Sequence, residues 1–194
     1  GQVFATAPAA ADGIKRAADL IASDYYRDRQ ARVTGDAERM ARALGGSAFD
    51  GADVSAVRDR IFPEVAQGRV KMVEVYRVQP GTQTAEVLPY VDVAAPDMPR
   101  GYSRAVADRM ASHAAAGQIE PPTPEPLPTG GELIRAAAVV KRPGATTEPV
   151  AVVVASDFLT GELASRARRI TNAYEDYSQL RVLRAPLAGV YLSF

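Results

Sequence analysis

The stretch ELIRAAAVVKRPGATTEPVAVVVAS, Glu132 to Ser156, decides the fold. Two apolar runs flank RPGATTEP, whose Pro143-Gly144 pair is a turn signal. ELIRAAAVVK (Glu132–Lys141) and VAVVVAS (Val150–Ser156) therefore read as paired strands. The second run is unbroken, which suits a central strand buried on both faces. The first is interrupted by Arg135. Alternation places Leu133, Arg135, Ala137 and Val139 on one face. If that face lines the core, the guanidinium needs an anion, from the protein or from a ligand, because an unpaired buried charge is costly. Arginine can hold such a carboxylate in bidentate fashion.

Working upstream, RVKMVEVYRV (Arg69–Val78) is rich in β-branched residues, QPGTQT is a turn, and AEVLPYVDV (Ala85–Val93) is the return strand. Pro89 cannot donate to a ladder, which favours an edge position. Between the two hairpins, Ser103 is a candidate N-cap for a helix whose face carries Val106, Met110 and Ala114 and which ends near Gly117. IEPPTPEPLPTGG follows and should be irregular or extended, because proline removes backbone donors. Further upstream, Ala9 to Leu44 carries two helical stripes, Ile14-Ala18-Ile21-Tyr25 and Val33-Ala37-Met40-Leu44. They are out of register by one residue, so a kink or phase shift is expected at RDRQARVTG, with LGGS ending the helix. Asp53 or Ser55 could cap a short helix over Ala56–Val65.

Downstream, DFLTGELASRARRITNAYEDYSQLRVLR reads as a closing helix with Asp157 at its start. Capping is one role for Asp157; reaching into a pocket for a ligand's amine is another. Leu163, Ala167, Ile170, Tyr174 and Tyr177 form a heptad seam, either core or dimer contact. The seam breaks near Leu180. The predicted class is α+β with an antiparallel sheet of four strands, a long N-terminal helix (1–46), an α/β core (47–158), a signalling helix (159–185) and an apolar end (186–194).

The bulk numbers narrow the function. The 194 residues carry 23 acidic and 23 basic side chains, so the formal net charge is zero and nucleic acid is not the expected partner. With no cysteine, no disulfide or thiolate site can form. The single histidine, His113, suits a helix terminus, where the dipole favours its cation. No metal or cofactor motif, phosphate loop, nucleophile elbow or HExxH is present, so no enzyme and no cofactor is expected. Tyr76, Tyr90 and Tyr102 cluster around the first hairpin and the following helix. Each offers an apolar body and a hydroxyl, suited either to packing or to a small-molecule pocket.

RRITNAYEDYSQLRVLRAPLAGVYLSF, Arg168 to Phe194, resembles the segment of NtrY-type nitrogen-regulation sensor histidine kinases that enters their second group of transmembrane helices. The tyrosines of AYEDYSQL and the wording VLRAPLAGVYLSF carry the resemblance. It implies that the chain is the extracytoplasmic, PAS- or Cache-like sensor domain of an inner-membrane kinase in a two-component system. The helix and sheet order agrees with that layout. No phosphoacceptor histidine motif or ATP-binding glycine box lies in the chain, so the kinase itself would lie elsewhere in the parent. The resemblance also implies a homodimeric parent tethered by flanking helices, with 186–194 as the outer end of a transmembrane helix. A small-molecule ligand (an amino acid, a carboxylate or a nitrogen compound) would then be held by candidates Tyr76, Tyr90, Tyr102, Arg135 and Asp157. The alternative is a periplasmic interaction or spacer module without such a ligand.

Overall fold

The computed structural model describes residues 2–51, 53–79, 86–142, 144, 148–161 and 169, with the side chains of residues 2–11, 18 and 22 excepted. Helix α1 (Gln2–Leu44) leads through a 3₁₀ turn (Gly46–Phe49) to α2 (Ser55–Ala66). Strands β1 (Met72–Val78) and β2 (Val87–Ala94), helix α3 (Arg104–Ala115), and strands β3 (Pro124–Pro126), β4 (Glu132–Lys141) and β5 (Pro149–Leu159) follow. The chain divides into two units, Asp28–Thr160 and Gly1–Arg27 with Gly161–Phe194.

The fold is α+β. The sheet has the order β2-β1-β5-β4-β3, with every neighbouring pair antiparallel. The central place of β5 follows from its composition. Ala151 to Ser156 are all buried, as a strand covered on both faces requires. β2 is an edge, where Pro89 is tolerated. Val75 pairs with Val91 while Tyr76 pairs with Pro89, so Tyr90 is the extra residue of a bulge.

The two faces are covered differently. On one lie Glu74, Tyr76, Val152, Val154, Ser156, Arg135 and Ala137, and α3 packs there. Ala107, Met110, Ala111 and Ala114 meet Tyr76, Ala137, Val152 and Val154 in one apolar cluster. The small alanines let α3 approach the sheet closely. On the other face, the Arg29 guanidinium of α1 pairs with Asp157 at 3.4 Å, and Arg77 donates to the Phe49 carbonyl at 2.8 Å. Glu64 of α2 receives Arg39 of α1 at 2.7 Å and Arg69 at 3.1 Å, and these partners hold its carboxyl below the usual range.

Three expectations are corrected. The proline-rich stretch is not wholly irregular: Pro124-Glu125-Pro126 forms a fifth, edge strand against β4. It survives its prolines because a three-residue edge strand asks little of its amides. β5 runs on to Leu159, pairing with β4 down to Glu132, so Asp157 lies inside a strand and does not open a helix. Phe158 and Leu159 continue the apolar run and win over the capping signal. Finally, of the two α1 stripes only the second is a core stripe. Val33, Ala37, Met40 and Leu44 are buried, whereas Ile14 and Ile21 are exposed. α1 is assigned as one helix across RDRQARVTG, and it ends at Gly45, whose φ is 60°.

The expected helix caps are not made. The N-cap of α2 is Val54, without a side-chain cap bond, so neither Asp53 nor Ser55 caps it; Asp53 accepts the Ser55 amide at 2.9 Å just ahead of the helix. Ser103 precedes α3, but its own amide is held by Glu125 Oε1 at 3.1 Å and its hydroxyl makes no cap. His113 lies in the last turn of α3 and pairs with Glu120, which Arg109 also contacts. The seam Leu163, Ala167, Ile170, Tyr174 and Tyr177, and the 186–194 segment, lie outside the described residues. Among the described residues no helix is long and apolar enough to cross a membrane.

The turn from β3 to β4 offers a stability test. Gly130 and Gly131 have φ of 95° and 81°, but only at Gly131 would a Cβ collide, meeting Leu159 O and the Phe158 ring at 2.5 Å. Gly130→Ala should cost roughly 1–2 kcal/mol for the left-handed backbone alone. Gly131→Ala should add roughly 1–3 kcal/mol of overpacking. Urea denaturation of the two variants checks the order.

Candidate functional site

Among the described residues the largest side chain buried to this extent is Arg135, at 1% exposure in the middle of the sheet. Its strand neighbours explain its position. Leu133, Ile134 and Ala136 are buried apolar residues, and alternation aims Arg135 at the face that α3 covers. The anion that such a guanidinium requires comes from the protein. Glu125 Oε2 of β3 lies 3.2 Å from Nη2, and Glu74 Oε1 of β1 lies 3.7 Å from Nη1. The Tyr102 ring lies 5.6 Å from the guanidinium carbon in a cation–π contact. Ser156 of β5 is the direct cross-strand neighbour of Arg135 and is fully buried.

These contacts are ion pairs without aligned hydrogen bonds. None of the three guanidinium nitrogens has a hydrogen-bond partner, and neither have Glu74 Oε1, Glu125 Oε2 or Ser156 Oγ. Buried polar groups left in that condition are expensive. Glu125 is the structural hub of the cluster. One oxygen faces Arg135 while the other accepts the Ser103 amide at the start of α3, where the helix dipole favours a carboxylate.

Glu74 links this cluster to an open cleft of about 150 Å³ lined by Glu74, Tyr76, Tyr90, Asp92, Arg104 and Asp108, with Val75, Pro89 and Val91 completing the wall. Tyr76 is buried and donates its hydroxyl to Asp108 of α3 at 2.7 Å; Glu74 Oε2 lies at 3.5 Å. Burial, followed by the bond to Asp108, pushes the Tyr76 hydroxyl well above its ordinary pKa, so it stays a donor. Burial also raises Glu74, against the opposing pull of Arg135. Asp92 stands directly across from Glu74 on β2 and pairs with Arg104 at 3.5 Å.

The five sequence candidates are thus divided. Tyr76 reaches Arg135 through Glu74, and the half-buried Tyr102 meets the Arg135 guanidinium directly. Tyr90 lines the same cleft at the bulge, but its ring packs on Phe49 at 5.6 Å and lies 5.9 Å from the Arg77 guanidinium carbon. Asp157 belongs to the other sheet face, with Arg29. Its side chain is not among the cleft-lining residues. Sequence reasoning passed over Glu74, Glu125, Asp108 and Asp92. Glu74 alone carried a signal: like Arg135, it is a charge within a β-branched run on the same alternating face as Tyr76.

No three His, Cys, Asp or Glu side chains among the described residues could hold a metal ion. No family model, curated protein or solved structure matches this chain.

The raised Glu74 gives a signed pH test. A carboxyl whose folded pKa lies above its unfolded value contributes stability that is full below the unfolded value and lost as pH rises through the folded one. Wild-type protein should therefore lose stability relative to Glu74→Gln as pH climbs from the ordinary glutamate range through the raised value. Glu64, shifted downward, contributes in the opposite sense. Urea titrations of both proteins across that window should show the difference; parallel profiles would contradict the assignment.

Proposed function

We propose that this chain is the ligand-sensing input domain of a membrane-bound, NtrY-type sensor histidine kinase linked to nitrogen regulation, with a PAS- or Cache-like core on the extracytoplasmic side. The kinase resemblance of Arg168–Phe194 supports the parent. A long leading helix before a five-stranded antiparallel sheet is the layout that this resemblance implies. The observation that carries ligand sensing is the cleft of about 150 Å³ whose wall includes the buried Glu74, the carboxylate that connects it to Arg135.

β5 supplies the route for a signal. Ser156 lies beside Arg135, the next residue Asp157 holds α1 through Arg29, and the strand ends two residues later at Leu159, where the chain heads for the proposed signalling helix. A ligand that shifts the buried cluster acts on both long elements through adjacent residues of one strand. For this it must bind the two states unequally.

Thermal denaturation of the chain against amino acids, carboxylates and small nitrogen compounds tests the proposal. A ligand at a hundred times its Kd should add about 2.7 kcal/mol, or roughly 5–10 °C for a domain of this size. A panel without any saturable shift, together with a partner protein recovered from envelope extracts, would favour the spacer alternative.

A further inference from the structure

Six solvent-inaccessible polar atoms without a hydrogen bond belong to one cluster: Nε, Nη1 and Nη2 of Arg135, Oε1 of Glu74, Oε2 of Glu125 and Oγ of Ser156. Arg135 reaches Glu74 at 3.7 Å and Glu125 at 3.2 Å, close enough for charge pairing but outside hydrogen-bond alignment. Ser156 is the direct cross-strand partner of Arg135 and therefore shares its face. On its other side Ser156 pairs with Met72, which precedes Glu74 by two positions on β1 and shares its face. The Ser156 hydroxyl is thus carried on the strand that the Arg135–Glu74 pair crosses. Neither carboxylate is free to turn into better alignment. The second oxygen of Glu125 accepts the Ser103 amide at 3.1 Å, and that of Glu74 accepts the Tyr76 hydroxyl at 3.5 Å.

We infer that Arg135, Glu74, Glu125 and Ser156 bind ordered internal water, with a molecule held between Ser156 Oγ, the guanidinium and Glu74 Oε1. The chemistry of the cluster selects a neutral ligand: two carboxylates repel an anion, and the guanidinium repels a cation. A guanidinium presents five N–H donors in a rigid plane, whereas water reorients and both donates and accepts. Internal waters typically make about three hydrogen bonds to buried polar groups that have no other partner, and here donors and acceptors occur together. The water accepts from the guanidinium, donates to Glu74 Oε1 and bonds the Ser156 hydroxyl. Its way in lies past Glu125, whose side chain is 20% exposed against 2% for Arg135. This site concerns the closed side of Glu74 and stands apart from the ligand-sensing reading of the cleft.

A crystal structure of the whole chain, at a resolution that shows ordered solvent, tests the site directly. Solvent density is expected within hydrogen-bond distance of both Ser156 Oγ and a guanidinium nitrogen. Direct hydrogen bonds from Arg135 to both carboxylates, with the hydroxyl bonded to one of them and no such density, would overturn it. Urea unfolding of Ser156→Ala gives a test by sign. Loss of a water-bonded hydroxyl should raise the unfolding equilibrium constant about five-fold, the size of one hydrogen bond. A urea midpoint at or above that of wild type is the result for a hydroxyl without any partner, and would overturn the site. In solution, water-deuteron relaxation dispersion should show a smaller contribution from slowly exchanging water when Arg135→Met, Glu74→Leu and Glu125→Leu are combined than in wild type. Equal contributions from the two folded proteins would overturn it as well.

Discussion

The structure depends on satisfying one buried positive charge. Arg135 sits in a strand whose other residues are apolar, and the sheet forms only if the guanidinium is neutralised inside it. Glu74 comes from β1 and Glu125 from β3, with Arg135 on β4 between them in space. β5 separates β1 from β4, and the pair to Glu74 reaches across it. One ion pair therefore crosses an intervening strand, while the pair to Glu125 joins the neighbouring strands β4 and β3. Register is constrained accordingly: a slip of one residue in β4 would turn Arg135 to the other face and leave both acids without it. Glu125 also explains why three residues of a proline-rich loop become a strand. Its carboxylate ties that edge to Arg135 and to the first turn of α3.

The same arrangement separates packing from chemistry. One sheet face is closed by alanines of α3 near its middle. Toward the start of α3 the helix presents Arg104 and Asp108 instead, and the cleft opens beside the β2 bulge. Bulges commonly re-aim residues beside binding sites, and this one turns the Tyr90 ring toward Phe49. The opposite face carries the α1 and α2 contacts, with Asp157 as its link to Arg29. Ser156 and Asp157 are consecutive, so β5 touches the Arg135 cluster on one side and the α1 anchor on the other.

Much of this was legible from periodicity alone. The unbroken run before Ser156 identified the central strand, Pro89 identified an edge, and Val106, Met110 and Ala114 identified the inner side of α3. Arg135 announced its need for an anion. Its partners were not legible, because they lie in distant segments and only the strand order brings them together. β3 was hidden by its prolines, which usually exclude strands, and its formation depends on the tertiary contact of Glu125. Asp157 was misplaced because an acid after an apolar run reads as a helix cap; the extension through Phe158 and Leu159 is decided by pairing with β4. The Ile14 and Ile21 stripe shows that helical periodicity marks an apolar face without saying that it is covered.

The central claim is that Arg135 is the charge around which the sheet is organised, and replacing it tests that claim most directly. Denaturant unfolding of Arg135→Met should show a loss of about 3–5 kcal/mol, because two buried carboxylates lose their counterion. Adding Glu74→Leu and Glu125→Leu to that variant should restore most of the stability, since an apolar cluster of similar volume needs no charge balance. A cost below about 1 kcal/mol for Arg135→Met, the size of an exposed ion pair, would contradict the account.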